Sequence, residues 1–412
     1  MKLVYGGEAL GYHAGRTVLA SRVLPGEQAE VEEWRVQKGV LHARPLQILT
    51  ASPDRVEPPC PYFGLCGGCQ YQHLAIEAQA VAKKEILRET LRRLGKVNCD
   101  ADIPVHTGPA WNYRNQAQLK IGKAGDGDLG IGFFEAESNR LVAIDTCPIL
   151  SPRLNAVLRE LRDRRWQKVL GNCHELELLA DDRDENVMLT LYGIRDASAI
   201  ETLARERFGN LAMNVAIEQG SCTRVYGDPH LTYRVGEYAY QVSPTSFFQS
   251  SRFLLPELVA SVTGRESGSV AMDLFAGVGL FTLPLAQRFD QVIAAESHPP
   301  AVADLRANAR SKGGSIRVVA GTVFDFLRRS AQAEPDLVVM DPPRSGVGVA
   351  ALKLLLALRP KRLSYVSCSP PTLARDLGFL IQHGYGLDSL DLFDFFPQTY
   401  HIESLARLSR RG

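Results

Sequence analysis

From about residue 250 onward, short apolar runs alternate with helical stretches. The runs are "VAMDLF", "QVIAAE", "IRVVAG", "LVVMDPP" and "RLSYVSC", each separated from the next by a helical segment. Strands that alternate with helices are joined by crossovers, so the pattern predicts an α/β fold with a doubly wound parallel sheet. In an open sheet of this kind, ligands sit in the crevice at the carboxyl ends of the strands. That narrows where chemistry can occur to a few loops.

Three carboxylates fall at those ends. Asp273 precedes the glycines of "DLFAGVGLFT", Glu296 closes the next strand, and Asp341 opens "DPPRSG". Gly277 and Gly279 permit a tight turn and close approach of backbone N–H groups to a ligand. A dinucleotide fingerprint would need a third glycine at position 282, where Thr282 stands, which makes pyrophosphate binding less attractive. A carboxylate such as Glu296 can accept both hydroxyls of a ribose. This set of acids resembles that of class I S-adenosylmethionine (SAM) methyltransferases, and SAM carries a ribose and a cationic sulfonium but no phosphate.

The remainder of the chain divides by pattern. Residues 1–50 show short β-branched runs punctuated by Gly and Pro-Gly, as in a small β-barrel of the size that often grips oligonucleotides. Residues 51–95 hold a Pro, Gly and Cys loop and then a helix. In that helix, apolar positions recur at Ile76, Ala80, Ile86, Leu87, Leu91 and Leu94, and Gly95 is expected as its C-cap. Lys83, Lys84, Arg88, Arg92 and Arg93 are expected on its outer face, either as a solvated surface or as a phosphate-contacting stripe. Residues 96–245 mix alternating segments ("YRNQAQLKIG", "HELELLAD", "NVMLTLYG") with helices near 151–166 and 197–207, a central α+β domain. Residues 246–412 form the doubly wound domain.

Net charge is +1, which speaks neither for nor against a nucleic-acid partner, because a basic face can be balanced elsewhere. The first residues lack the apolar core of a signal peptide, and no run of about 18 apolar residues appears. A cytoplasmic, monomeric protein with no membrane association is expected.

Eight cysteines are present. Cys60, Cys66 and Cys69 are spaced C-x5-C-x2-C, and Cys147 precedes a proline in "DTCPIL". Four thiolates fit zinc or an iron–sulfur cluster; the spacing is not the C-x3-C-x2-C of radical-SAM enzymes. Cys99, Cys173 and Cys222 stand apart and read as buried, inert thiols. Cys368 ends a predicted strand in "YVSCSPPTLARD", and Glu403 follows in "FPQTYHIESLARL". A thiol, a carboxylate and a methyl donor in one cleft point to methylation at carbon 5 of uracil. Carbon 5 is a poor nucleophile until a thiolate adds to carbon 6, and a base then removes the carbon-5 hydrogen.

Nearly the whole chain resembles the RNA uracil-5-methyltransferase family, bacterial enzymes with an N-terminal TRAM domain and an iron–sulfur loop. The resemblance is carried by "YGGEALGY…LPGE", "CPYFGLCGGCQYQHL", "YRNQAQLKIG", "SPTSFFQSS", "DLFAGVGLFTLPLA", "MDPPRSG", "YVSCSPPTLARDL" and "FPQTYHIESLARL" in collinear order. It implies a [4Fe–4S] cluster on Cys60, Cys66, Cys69 and Cys147. It implies a SAM site lined by Gln249, Phe275, Gly277, Glu296 and Asp341, with Cys368 as nucleophile and Glu403 as base. Arg114 and Asn115 match the family's "YRN" run, and the resemblance implies them as candidate RNA contacts. Leu280 and Ser369 depart from the pattern, which often has asparagine at both places. The implied substrate is a uridine of 23S ribosomal RNA, with the T-loop of transfer RNA as the alternative. Three rival readings have distinct signatures. An amine methyltransferase would carry an aromatic residue after its Pro-Pro, where Arg344 stands. A cytosine-5 enzyme would carry its cysteine in the "DPPRSG" loop. A non-catalytic RNA-binding or chaperone protein would not need the Cys368, Glu403 and Asp341 set.

Overall fold

The computed structural model describes residues 1–99, 101–123, 129–194, 213–219, 222–264, 266–310, 315–330 and 334–411. The helix expected near 197–207 lies outside the described residues, as does the side chain of Cys222.

Five strands between Lys2 and Thr50 form the first sheet, in the order first, second, third, fifth, fourth. Three register shifts between Gln28–Gln37 and Val40–Thr50 bend it, since each bulge adds local twist. Val18, Ala20, Val23 and Ala43 form its small core. A seven-stranded sheet follows, built on Gln116–Lys123, Glu175–Ala180 and Val187–Tyr192 in antiparallel register. The predicted helix over 151–166 is two helices, Pro152–Glu160 and Arg164–Leu170. Ser151 and Asp163 explain the break: each starts a helix by accepting a backbone N–H, from Leu154 and Arg165 respectively.

The third unit is the α/β fold expected from the alternation. Its eight strands run Ile316–Ala320, Phe289–Glu296, Gly268–Leu274, Leu337–Met340, Arg362–Ser367, Glu403–Arg410, Tyr385–Asp394 and Val105–Thr107 across the sheet. The first five are mutually parallel. Glu403–Arg410 is inserted antiparallel between Arg362–Ser367 and Tyr385–Asp394. The chain-order reversal lies between Gly268–Leu274 and Leu337–Met340, the switch point where a ligand crevice opens. Val105–Thr107 adds an edge strand from far upstream in the chain.

The helix Ile76–Thr90 corrects two expectations. Lys83 is not on its outer face: it is fully buried, and its Nζ donates to Asp394 Oδ1 at 2.6 Å and to the Phe396 carbonyl at 2.8 Å. Gly95 is not a left-handed cap. The helix ends in a π-helical turn, Leu91–Gly95, and Lys96 takes the left-handed conformation at φ 54°. Gly95 is small for another reason, because a Cβ there would lie 2.3 Å from the Ala374 carbonyl oxygen. Of the remaining basic residues, Lys84 lies 3.2 Å from Asp102 and Arg93 3.4 Å from Glu89; exposed pairs of this kind contribute little to stability.

Candidate active site and cysteine cavity

At the switch point, Asp273 and Phe275 sit where Gly268–Leu274 ends. Phe275, Gly277 and Gly279 all have positive φ, at 65°, 54° and 99°. This turn aims the Gly277 N–H at Glu296 Oε2, 2.9 Å away. Glu296 Oε1 accepts two more backbone N–H groups, from Ser297 at 2.6 Å and His298 at 2.7 Å. Thr282, standing in place of a third glycine, donates its hydroxyl to Asp273 Oδ2 at 2.5 Å. Asp273 is fully buried, and its other oxygen meets no donor among the described residues. Burial pushes its carboxyl up to about 7. Leu280 is buried, and its carbonyl accepts the Tyr240 hydroxyl at 2.9 Å.

Asp341 follows Leu337–Met340, where Gln249 Nε2 donates to its Oδ2 at 3.1 Å. The loop after it is tied to the helix Pro370–Gln382: Thr372 Oγ1 donates to the Arg344 carbonyl at 3.1 Å and Arg375 to the Ser345 carbonyl at 2.9 Å.

Cys368 comes directly after Arg362–Ser367, and Ser369 then caps Pro370–Gln382 with proline in its first turn. Ser367 Oγ accepts the Ser369 N–H at 3.2 Å, closing the turn that presents the thiol. Ser367 pairs with Ser404 in antiparallel register, which brings the residue after one strand and the residue that starts the other to the same end of the pair. Burial and the charges of Glu403 and Asp341 push the thiol up to about 12, while Arg344 opposes them. Burial and the Asp341 charge raise the Glu403 carboxyl well above the usual range, and burial raises Asp341. The two acids thus have raised proton affinity, and each acts electrostatically on the same thiol.

Sequence reasoning overlooked Tyr5. It reaches from the first sheet to this turn, with its hydroxyl 3.4 Å from the Cys368 carbonyl and its ring edge-on to Tyr400. No signal in "VYGGE" marks that contact. Lys83 did leave a signal, because it falls on the helical stripe of Ile76, Ile86 and Leu87. Asn115, expected at an RNA surface, is fully buried and donates to the Tyr233 hydroxyl at 3.1 Å. It is therefore out of reach of RNA. Arg114 is half-buried and lines the second feature.

That feature is a cavity of about 420 Å³ lined by Cys60, Cys66, Cys69 and Cys147, with Arg114 and His401 on its wall. The Gly68 N–H donates to Cys66 Sγ at 3.4 Å. Among the described residues, no three His, Cys, Asp or Glu side chains converge as the ligands of a single ion. Cys173 is buried, as expected, while Cys99 is half-buried against the large core.

The model of the tRNA (uracil-5-)-methyltransferase family matches residues 75–320 and 329–411. The chain belongs to this family. It is therefore a SAM-dependent RNA uracil-5-methyltransferase. Similar proteins include an uncharacterized RNA methyltransferase of Aquifex aeolicus, 34% identical over 99% of this chain and 96% of the relative. The 23S rRNA (uracil(1939)-C(5))-methyltransferase RlmD of Alkalilimnicola ehrlichii is 32% identical, covering 100% and 95% of the two chains. The fold is shared with the Pyrococcus abyssi tRNA (uracil-54, C5)-methyltransferase, solved with S-adenosyl-L-homocysteine, at a TM-score of 0.74, 24% identity and 98% coverage of both chains. Family membership removes the amine, cytosine-5 and chaperone readings. Among the described residues, no helix is long and apolar enough to cross a membrane.

Proposed function

We propose that the chain methylates carbon 5 of a uridine in 23S ribosomal RNA through a covalent adduct between Cys368 and carbon 6 of the base. The observation that supports this reading is the register of Ser367 with Ser404, one residue from each group, together with the electrostatic influence of Glu403 on the Cys368 thiol.

The cleft suits SAM by its donor set: Glu296 for a ribose, Asp341 with Gln249 beside it, and the turn of Phe275 and Gly277. SAM supplies, when bound, a methyl group on a sulfonium. As Cys368 Sγ bonds to carbon 6, its proton is released to solvent, and Glu403 stays free as a carboxylate for the later step. The carbon 5–carbon 6 electrons move to carbon 5 and the carbonyl at carbon 4. Carbon 5, made nucleophilic by the adduct, would then accept the methyl group that SAM supplies. Glu403 takes the hydrogen of carbon 5 as a proton, the carbon 6–sulfur bond breaks, and the thiolate recovers a proton. One proton remains for solvent, which balances the positive charge lost from sulfur.

Cys60, Cys66, Cys69 and Cys147 fit a [4Fe–4S] cluster. The four thiols surround one cavity, a backbone N–H already points at one sulfur, and a four-iron cluster holds its thiolates farther apart than one ion would. The cluster would join the loop of residues 60–69 to the seven-stranded sheet. The five-stranded unit of residues 2–50 is read as the TRAM-like module.

Ribosomal RNA is favoured because relatives named for 23S rRNA cover nearly the whole chain at 32–33% identity. Transfer RNA, named in the family description and in the Pyrococcus abyssi structure, is the second reading. Mapping 5-methyluridine in both RNAs of a strain lacking the gene tests the choice. Loss from 23S rRNA alone supports it, and loss from transfer RNA alone overturns it.

A further inference from the structure

Gln398 lies five residues before Glu403 and holds a left-handed backbone at φ 70°. A residue with a Cβ adopts that conformation only where its surroundings over-determine it. Its N–H, its carbonyl and its side-chain oxygen are all engaged. Its N–H donates to Gln79 Oε1 at 2.7 Å, and its Oε1 accepts from Gln79 Nε2 at 3.0 Å. Its carbonyl accepts the N–H groups of Gln70 and Tyr71 at 3.0 and 2.9 Å.

One helical turn on from Gln79, Lys83 grips the same segment through Asp394 and the Phe396 carbonyl. Gln79 and Lys83 are both fully buried. A buried lysine is retained at the cost of desolvating its charge, and such a group is weak evidence for stability alone. Here its two bonds end on Asp394 and Phe396, at the start of the bend that leads from Tyr385–Asp394 into Glu403–Arg410.

We propose that Gln79 and Lys83 are positioning residues for methyl transfer. From the helix Ile76–Thr90 they clamp the strained bend of Asp394–Gln398, and so fix where the Glu403 carboxylate stands relative to Cys368. The inference rests on the reading of Glu403 as the base. Its consequence is specific to one step: a loosened clamp leaves adduct formation intact and slows removal of the carbon-5 proton.

The test uses the full-length protein in three forms, Gln79→Leu, Gln398→Gly and Lys83→Met, with Glu403→Gln as reference. Gln398→Gly relieves the φ strain, so it stays folded even if a substitution in the helix does not. Steady-state rates are measured with SAM and the RNA substrate well below the melting temperature, and the RNA–protein adduct is quantified on denaturing gels. The expected result is a kcat lowered tenfold or more, KM for SAM within threefold of the parent, and an adduct fraction raised towards that of Glu403→Gln. Gln398→Asn, which tolerates the left-handed region, should recover part of the rate. Folded variants with parental kcat, or a lowered rate with no added adduct, would overturn the clamp. If Glu403→Gln itself accumulates no adduct, the reading of the base fails and the clamp fails with it. If only the clamp variants behave as the parent, the base reading survives alone.

Discussion

Ser367 and Ser404 pair across two antiparallel strands, and the Ser404 hydroxyl donates to the Ser367 carbonyl at 3.2 Å. Cys368 directly follows the first of these residues and Glu403 directly precedes the second. The proposed nucleophile follows one strand and the proposed base starts its antiparallel neighbour.

The thiol of the ligand-free protein is protonated near neutrality, because burial, Glu403 and Asp341 raise it to about 12. Thiolate is the reactive form, so alkylation of Cys368 by iodoacetamide should be slow at pH 7.5. It should climb through pH 10 without a plateau. Mass spectrometry of the Cys368 peptide measures it, and a plateau below pH 8 would contradict the assigned environment.

Asp273 gives stability a pH dependence of defined sign. Its folded value is raised to about 7 from an unfolded value near 3.8. Between these values the native state holds the proton and the unfolded state does not, so this contribution is complete below about 3.8 and is lost as pH rises towards 7. Asp273→Asn keeps an acceptor for Thr282 and removes the titration. Its stability relative to the parent should rise from pH 4.5 to pH 7.5 in urea titrations; an unchanged difference would count against the buried acid.

Gly95 is held by packing. Its Cβ position lies 2.3 Å from the Ala374 carbonyl, so Gly95→Ala forces the π-turn away from the helix that follows Cys368. Overpacking of this kind costs about 1–3 kcal/mol, readable as a lower urea midpoint. A midpoint equal to the parent's would mean that the two helices separate freely.

The cysteine cavity predicts a protein that, purified without oxygen, absorbs near 400 nm and contains about four irons per chain, as a [4Fe–4S] cluster requires. Cys69→Ser should lose both signals. One zinc and no iron in the parent would replace the cluster with a single-ion site.

Much of the cleft was legible in the sequence because parallel α/β topology gathers strand ends. Asp273, Glu296 and Asp341 reach one crevice whichever helices intervene. Cys368 and Glu403 were singled out by their motifs, but the antiparallel insertion of the last strand beside Arg362–Ser367 was not legible. Lys83 was misassigned because its charge was weighed above its place on the apolar stripe; Asp394, its partner, lies 311 residues away. Asn115 was misassigned in the same manner. A polar residue just before a strand looks like surface until a tertiary partner, here the Tyr233 hydroxyl, becomes visible. Tyr5 left no local trace at all, because its role comes from the packing of one sheet on another.

Covalent catalysis by Cys368 with Glu403 as base is tested most directly by incubating Glu403→Gln with RNA and methyl-labelled SAM and resolving the products on a denaturing gel. The predicted result is a slowly migrating RNA–protein band that carries the label and disappears in the Cys368→Ala, Glu403→Gln double variant. Full turnover by Glu403→Gln with no such band would contradict the account.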